Sequence, residues 1–178
     1  VGRTDLSVLI IGNTGTGKEG VAFYLHDYSP RRGKPFVAVN CAALEPELLR
    51  SELFGHERGA FTGAIGKKIG LCEMARGGTL FLDEIGNMPI PIQTALLRFL
   101  ETRRYRTVGG TEEKKADIRV IAAAQRDLPE KISRGEFRQD LYHRLAQVEM
   151  ETPDLKDVRQ DIPLIMRQLV YKRFQHVN

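Results

Sequence analysis

Short apolar runs alternate with longer stretches of helical periodicity along this chain. Leu6–Ile11 is apolar and closed by a glycine, the pattern of a buried strand. Lys18–Tyr28 takes helical spacing, although Gly20 weakens it by about 1 kcal/mol relative to alanine. A second strand is expected over Phe36–Asn40, then a helix over Glu45–Phe54 with Leu48, Leu49 and Leu53 on one face. Thr79–Asp83 reads as a third strand. Ile92–Glu101 reads as a helix with Ala95, Leu96, Phe99 and Leu100 at core spacing, and Ile118–Ala124 as a fourth strand. Strands this apolar, each separated by a helix, predict an α/β fold with a parallel sheet sandwiched by helices. Beyond Pro153 a last helix is expected over Ile162–Phe174, with Pro163 in its first turn, where a missing N–H costs nothing. One stretch breaks the rhythm. Between Gly55 and Gly70 there are five glycines and no apolar periodicity. With Phe61 in its middle, it reads as a loop projecting from the body.

Composition narrows the class. A length of 178 residues suits one domain, and 42% hydrophobic with 28% charged residues excludes disordered, collagen-like and disulfide-scaffold chains. No apolar run approaches the ~20 residues of a membrane span. The first residues carry no signal-peptide pattern, so a cytoplasmic protein without membrane contact is expected. The net charge of +4 is too small to argue nucleic-acid binding. The basic clusters at Arg31, Arg32 and Lys34 and at Arg103, Arg104 and Arg106 read as solvated faces. Cys41 and Cys72 lack zinc spacing and read as reduced, buried thiols. His26, His56, His143 and His176 form no cluster.

The chemistry begins at Gly12-Asn13-Thr14-Gly15-Thr16-Gly17-Lys18, a GxxxxGK run between a strand and a helix. Its glycines let backbone N–H groups curl around phosphates, and the helix N-terminus adds a field that favours anions. Lys18 would neutralise the outer phosphates. Glu19 stands where a serine or threonine on Mg²⁺ is usual. The Thr79–Asp83 strand runs into Glu84. If a parallel neighbour brings it alongside the phosphates, Asp83 would hold Mg²⁺, directly or through water. Glu84 would orient and deprotonate the attacking water. Together the two segments point to Mg²⁺-dependent nucleoside triphosphate hydrolysis.

Gly59-Ala60-Phe61-Thr62-Gly63-Ala64, preceded by Glu52-Leu53-Phe54-Gly55-His56-Glu57, resembles the signature loop of the bacterial sigma-54-dependent transcription activators, AAA+ ATPases of the enhancer-binding, NtrC-like class. The resemblance runs from about Leu9 to Pro163 and includes Val39-Asn40-Cys41-Ala42-Ala43-Leu44. It implies a ring, usually a hexamer, with ATP at subunit interfaces. It also implies a loop over Gly59–Ala64 that touches sigma-54 and its RNA polymerase holoenzyme, so that ATP turnover remodels the closed promoter complex. Glycines at both ends would let that loop swing, with Phe61 as an apolar contact and Thr62 as a small hydroxyl. Thr107–Lys115 matches the family's supporting loop. Glu19 fits, because a glutamate follows the phosphate-loop lysine in this family. Asn40 resembles the asparagine that pairs with the catalytic glutamate, here Glu84, although a strand-end asparagine can also cap a turn. Arg138 and Arg144 lie in a segment similar to the arginine-finger helix, where a guanidinium fork reaches a neighbour's γ-phosphate. The bland reading pairs them with Asp140 or Glu136.

Two departures stand out. Gln125 occupies the family's γ-phosphate-sensing asparagine position. Its extra methylene displaces the amide by about 1 Å, a shift that can cost 10²-fold, so slower turnover is expected. Pro153-Asp154-Leu155-Lys156-Asp157-Val158 replaces the family's Pro-Pro-Leu-Arg-Glu-Arg, which puts the coupling to the lid in question and leaves the phosphate site alone. Residues 1–153 would form the nucleotide-binding core, and 154–178 a linker with the first helix of a truncated lid. The chain reads as a fragment of a longer regulator, with weak nucleotide affinity and poor ring assembly. Promoter or enhancer DNA would be met only through domains absent here. The competing readings are a nucleotide-binding regulatory module with little hydrolysis and another kind of AAA+ remodeller.

Overall fold

A strand such as β1 (Val8–Ile11), apolar at every position, has no face to give to water and must lie inside a sheet covered on both sides. The structure, a computed structural model that describes residues 4–164 and 167, places it there. After β1 come α1 (Lys18–Asp27), β2 (Phe36–Asn40), α2 (Pro46–Phe54), α3 (Leu71–Met74) and β3 (Thr79–Asp83). They are followed by α4 (Ile90–Thr102), β4 (Arg104–Arg106), β5 (Glu113–Lys115), β6 (Arg119–Ala124), α5 (Leu128–Ser133), α6 (Gln139–Leu145) and β7 (Val148–Glu151). Five strands form one parallel sheet in the order β2-β3-β6-β1-β7, with Leu9 beside Ala122 and Leu80 beside Val120. This is the α/β sandwich that the alternating pattern predicts.

Strand side chains alternate between the faces. Leu9, Ile11, Leu80, Leu82, Val120 and Ala122 pack with Leu49, Leu53, Leu96, Phe99 and Leu141 of α2, α4 and α6. Val8, Ile10, Phe81 and Ile121 turn the other way, onto Ala22 and Leu25 of α1. The predicted strands and helices recur with ends moved by one or two residues. The helix expected over Ile162–Phe174 is helical at 162–164 and 167, and its remainder lies outside the described residues.

Three features depart from the sequence reading. β7 was not expected, because its Val-Glu-Met-Glu alternation is that of an edge strand, with Glu149 and Glu151 exposed. The segment after α4 forms an antiparallel hairpin, β4 with β5, outside the main sheet. β6 also separates β3 from β1, so the acidic strand end is two strands from the phosphate loop, about 10 Å at ordinary strand spacing. Among the described residues, no helix is long and apolar enough to cross a membrane.

Arg31 and Arg103 correct the reading of solvated basic faces. Arg103 is a left-handed helix-ending residue that donates to the Ile118 carbonyl at 2.9 Å. Arg31 is buried and joins three segments. It grips both Asp5 oxygens at 2.9 Å and Asp117 Oδ1 at 2.7 Å, and leans on the Gly78 and Asp117 carbonyls at 3.4 Å. The Arg31 hydrogen bond holds the Asp5 carboxyl below its ordinary value. Because both carboxylates are largely exposed, the carbonyls left without a donor dominate the loss in Arg31→Ala, about 2 kcal/mol. A carboxyl whose folded pKa is depressed contributes stability above its unfolded value near 4 and loses it as pH falls through the folded one. Denaturant unfolding should therefore show the Arg31→Ala deficit in full at pH 7 and a smaller one below about pH 4.

Candidate functional site

Parallel α/β sheets bind ligands beyond the carboxyl ends of their strands. Read across that edge, β2 ends at Asn40, β3 at Asp83 with Glu84 next, β6 runs into Gln125, β1 opens into Gly12, and β7 leads to Thr152. Residues scattered along the sequence thus form one row.

The phosphate loop is stitched to both neighbouring strands. Gly12 N–H donates to the Ala124 carbonyl at 3.1 Å, and Thr152 N–H to the Ile11 carbonyl at 2.8 Å. A β-carbon on Gly12 would fall on Thr152 Oγ1, so the close approach of β7 demands glycine there. Thr16 Oγ1 shares a hydrogen with Thr152 Oγ1 at 2.7 Å and donates to the Asn13 carbonyl at 2.8 Å. Gly17, left-handed at φ 81°, turns the chain into α1, whose first turn has no side-chain cap. The uncapped N–H groups suit the oxygens of a phosphate. Lys18 Nζ lies across the mouth, donating to the Gly12 and Asn13 carbonyls at 2.8 and 2.9 Å. Thr14, Gly15 and Glu19 are exposed around it.

Asn13 amends one expectation. Its amide donates to both oxygens of Asp154, at 2.8 and 3.1 Å, and this bond holds the Asp154 carboxyl below its ordinary value. The altered linker after Pro153 therefore touches the phosphate loop itself. Sequence spacing gave no hint of Thr152 or Asp154, since both lie about 140 residues from their partners.

Asp83 and Glu84 are half-buried at the end of β3. Asp83 Oδ1 accepts the Glu84 N–H at 2.9 Å. Glu84 is left-handed, at φ 52° and ψ 41°, which costs a non-glycine residue about 1 kcal/mol or more and turns its side chain away from the strand direction. Its carboxylate accepts from Asn87 Nδ2 at 3.4 Å. Asn87 Oδ1 in turn accepts from Lys131 Nζ at 2.6 Å, so a two-residue relay orients Glu84. Asn40 is the cross-strand partner of Asp83, yet its Oδ1 accepts from the Ala42 N–H at 2.8 Å. The turn-capping alternative is the one realised here, and Asn87 holds the place by Glu84 expected of Asn40. Gln125 is half-buried directly after Ala124. An Asp83 carboxylate at this edge suits Mg²⁺, which takes one or two carboxylates and fills the rest of its shell with phosphate and water. Among the described residues no group of three or more His, Cys, Asp or Glu is placed to hold a metal. Cys41, beside Asp83, is a buried thiol pushed up to about 12 by desolvation, and Cys72 likewise.

The two arginines of the α6 segment sit apart. Arg138, the residue before α6, is clamped by Asp140 in a two-pronged pair at 3.0 and 2.7 Å. Its own N–H is fixed by Gln93 Oε1 at 2.8 Å. Arg144 lies in the last turn of α6 and donates to the Leu100 carbonyl at 3.1 Å, near the end of α4. Six positions apart at 1.5 Å per residue, they are separated by about 9 Å along the helix axis. Only Arg138 is near the carboxyl edge of the sheet.

The glycine-rich excursion is closed at its base. His56 pairs with Lys68 in an antiparallel bridge and with Val108 in a parallel one. A β-carbon on Gly70 would strike the Gly55 backbone, so only glycines let the two limbs meet. Gly59 N–H donates to the Ala64 carbonyl at 2.8 Å, which folds Gly59–Ala64 on itself. Ala64 is buried while Thr62 and Gly63 are exposed. Phe61 is half-buried, with its ring edge-on to His56 at 5.1 Å. Glu57 N–H donates to the Val108 carbonyl at 3.0 Å and Val108 N–H to the Gly55 carbonyl at 2.9 Å. A β-carbon on Gly109 would meet Ala60. The expected supporting loop, Thr107–Lys115, is therefore bonded to the excursion at its first residues and becomes β5 at its last three.

The Sigma-54 interaction domain family matches residues 1–151. The chain is 52% identical over 170 residues to the transcriptional regulatory protein GlrR of Escherichia coli K12, covering 96% of this chain and 38% of that protein. It is 54% identical over 167 residues to the DNA-binding transcriptional regulator NtrC of Azospirillum brasilense, covering 94% and 35%. A crystal structure of NtrX from Brucella abortus in complex with ATP superposes with a TM-score of 0.85 at 40% identity, over 94% of this chain and 37% of that one. The chain thus spans little more than a third of the length of these relatives. With the family match over residues 1–151, the regulators at about half identity and the superposition on NtrX, this chain belongs to the Sigma-54 interaction domain family of NtrC-like regulators, an AAA+ type of P-loop fold.

Proposed function

We propose that this domain hydrolyses ATP and uses the turnover to drive Gly59–Ala64 against sigma-54 in its RNA polymerase holoenzyme, remodelling the closed promoter complex. The observation that carries this reading is the row Asn40, Asp83, Glu84, Gln125, Gly12 along one sheet edge, in a domain whose Phe61 loop is tied to the 107–110 turn. Backbone N–H groups of the loop and the first turn of α1 bind the phosphates, and Lys18 swings from its two carbonyls to the outermost ones. Asp83 would hold Mg²⁺, which supplies charge neutralisation on the phosphate oxygens. Glu84, oriented by Asn87, takes the proton of the attacking water, and Gln125 reads the terminal phosphate. Arg138, with Arg144 as a second arginine at the same interface, leaves Asp140 to complete the site of a neighbouring subunit in a ring, a hexamer by family analogy. Work on a polymerase places the protein in the cytoplasm. We assign residues 1–153 to the nucleotide core and 154–178 to the linker and start of the lid. Contact with promoter or enhancer DNA falls to other domains.

A second reading is favoured by one observation. Lys18 is satisfied by carbonyls of its own loop and Gln125 carries the longer amide, as in a module that binds nucleotide and turns it over little. Purified sigma-54 tests the main reading. The wild-type chain should retain it on a column in the presence of a non-hydrolysable ATP analogue, and Phe61→Ala should lose it by at least tenfold with unchanged nucleotide affinity. Equal retention by both proteins would sink the assignment of the loop.

A further inference from the structure

Away from the carboxyl edge, α2, α4 and the β4–β5 hairpin enclose a cleft of about 530 Å³, within the range of ligand pockets. Its floor is apolar, formed by Phe54, Ala95 and Tyr105, and its rim is cationic. Arg50 comes from α2, Arg98 from α4, and Arg104 and Arg106 from one face of β4. All four are exposed, and Glu113 is the single acid among the lining residues. Arg106 is the cross-strand partner of Glu113, and Arg104 Nη1 donates to Glu113 Oε2 at 2.8 Å. The hydrogen bond from Arg104, then the charges of Arg104, Arg106 and Arg98, hold the Glu113 carboxyl below its ordinary value. The cluster thus carries several more positive charges than its one internal carboxylate can balance.

We propose that this cleft is a docking site for an acidic peptide segment of a partner protein, whose carboxylates take the guanidiniums that now converge on Glu113 and whose apolar side chain covers Phe54 and Tyr105. Guanidinium forks match carboxylates in two-pronged geometry, and Glu113 shows that the spacing of these arginines admits one. The shape argues against a nucleic-acid backbone. A phosphate rail needs a basic stripe that follows it, whereas these arginines rim a pit with an apolar floor that phosphodiesters would leave uncovered. Glu113 acts as an internal competitor that a partner with several carboxylates displaces.

Fluorescence anisotropy with a short labelled peptide alternating glutamate with leucine, its glutamine counterpart and a labelled DNA duplex tests the proposal on this chain. The glutamate peptide should bind with an affinity that falls as salt rises, and the glutamine peptide should not bind. Arg98→Gln with Arg106→Gln should weaken binding about tenfold. Glu113→Gln should tighten it about threefold, with the thermal midpoint of each variant reporting that it is folded. No peptide binding, binding unchanged by the double arginine variant, or weaker binding in Glu113→Gln would overturn the proposal. Duplex binding as tight as the peptide's, and lost in the same arginine variant, would overturn it in favour of a nucleic-acid surface.

Discussion

Replacing Glu84 by glutamine should lower the ATP turnover of this domain by 10²–10⁴-fold while leaving nucleotide binding near wild type, the loss expected when a positioned general base is removed. The carboxylate is held in a left-handed backbone conformation and oriented through Asn87 and Lys131, so a glutamine of the same length keeps the geometry and removes only the proton acceptor. Lys18→Ala should behave differently. Its ammonium lies across the mouth of the phosphate loop, on the Gly12 and Asn13 carbonyls. Losing charge-assisted bonds of about 1.5–3 kcal/mol weakens nucleotide affinity by roughly 10–100-fold, and turnover falls with it. Titration with a fluorescent nucleotide and a phosphate-release assay on the same preparations separate the two effects. Turnover in Glu84→Gln within a few fold of wild type would remove Glu84 from the mechanism. Gln125→Asn belongs in the same series, where a rise in turnover would mark the longer amide as the brake.

The second large effect concerns Arg138. If it completes a neighbour's site, Arg138→Ala should lose 10³–10⁵-fold in turnover, as expected of an arginine finger, with nucleotide affinity unchanged. The pair with Asp140 is exposed, so breaking it costs little and does not confuse the reading. Mixing Arg138→Ala with Glu84→Gln provides the signature. Each inactive subunit lacks a different half of the site, so the mixture should recover part of the activity at protein concentrations where the chains associate. Arg144→Ala in the same mixture should show whether the arginine near Leu100 acts across the interface or only supports α6. A mixture with no more activity than its two components would exclude the trans role.

The Asn40 and Glu84 relationship shows where sequence reading stopped. Their strands and their places at one edge were legible, because strand ends follow from apolar periodicity and the carboxyl edge follows from parallel pairing. Which amide faces the carboxylate was not. Asn40 is spent on the Ala42 N–H in the structure, and Asn87, inside a short 3-10 turn with no periodic signal, holds Glu84. Arg31 offers the same lesson at the opposite edge. Read as one of three surface cations, it is instead buried among Asp5, Asp117 and two carbonyls contributed by segments up to 86 residues away.

The chain by itself determined the alternating architecture, the phosphate loop, the acidic strand end and the Gly59–Ala64 signature, because each is written in residues close together and enforced by local backbone geometry and side-chain period. Only the tertiary structure decided that β6 lies between β1 and β3, that β7 delivers Thr152 and Asp154 to the phosphate loop, that the signature loop is bonded to the 107–110 turn, and that four arginines from three elements line one cleft with Glu113. Those contacts join positions far apart in the chain, and their partners are selected by how the layers pack. No local spacing records that choice.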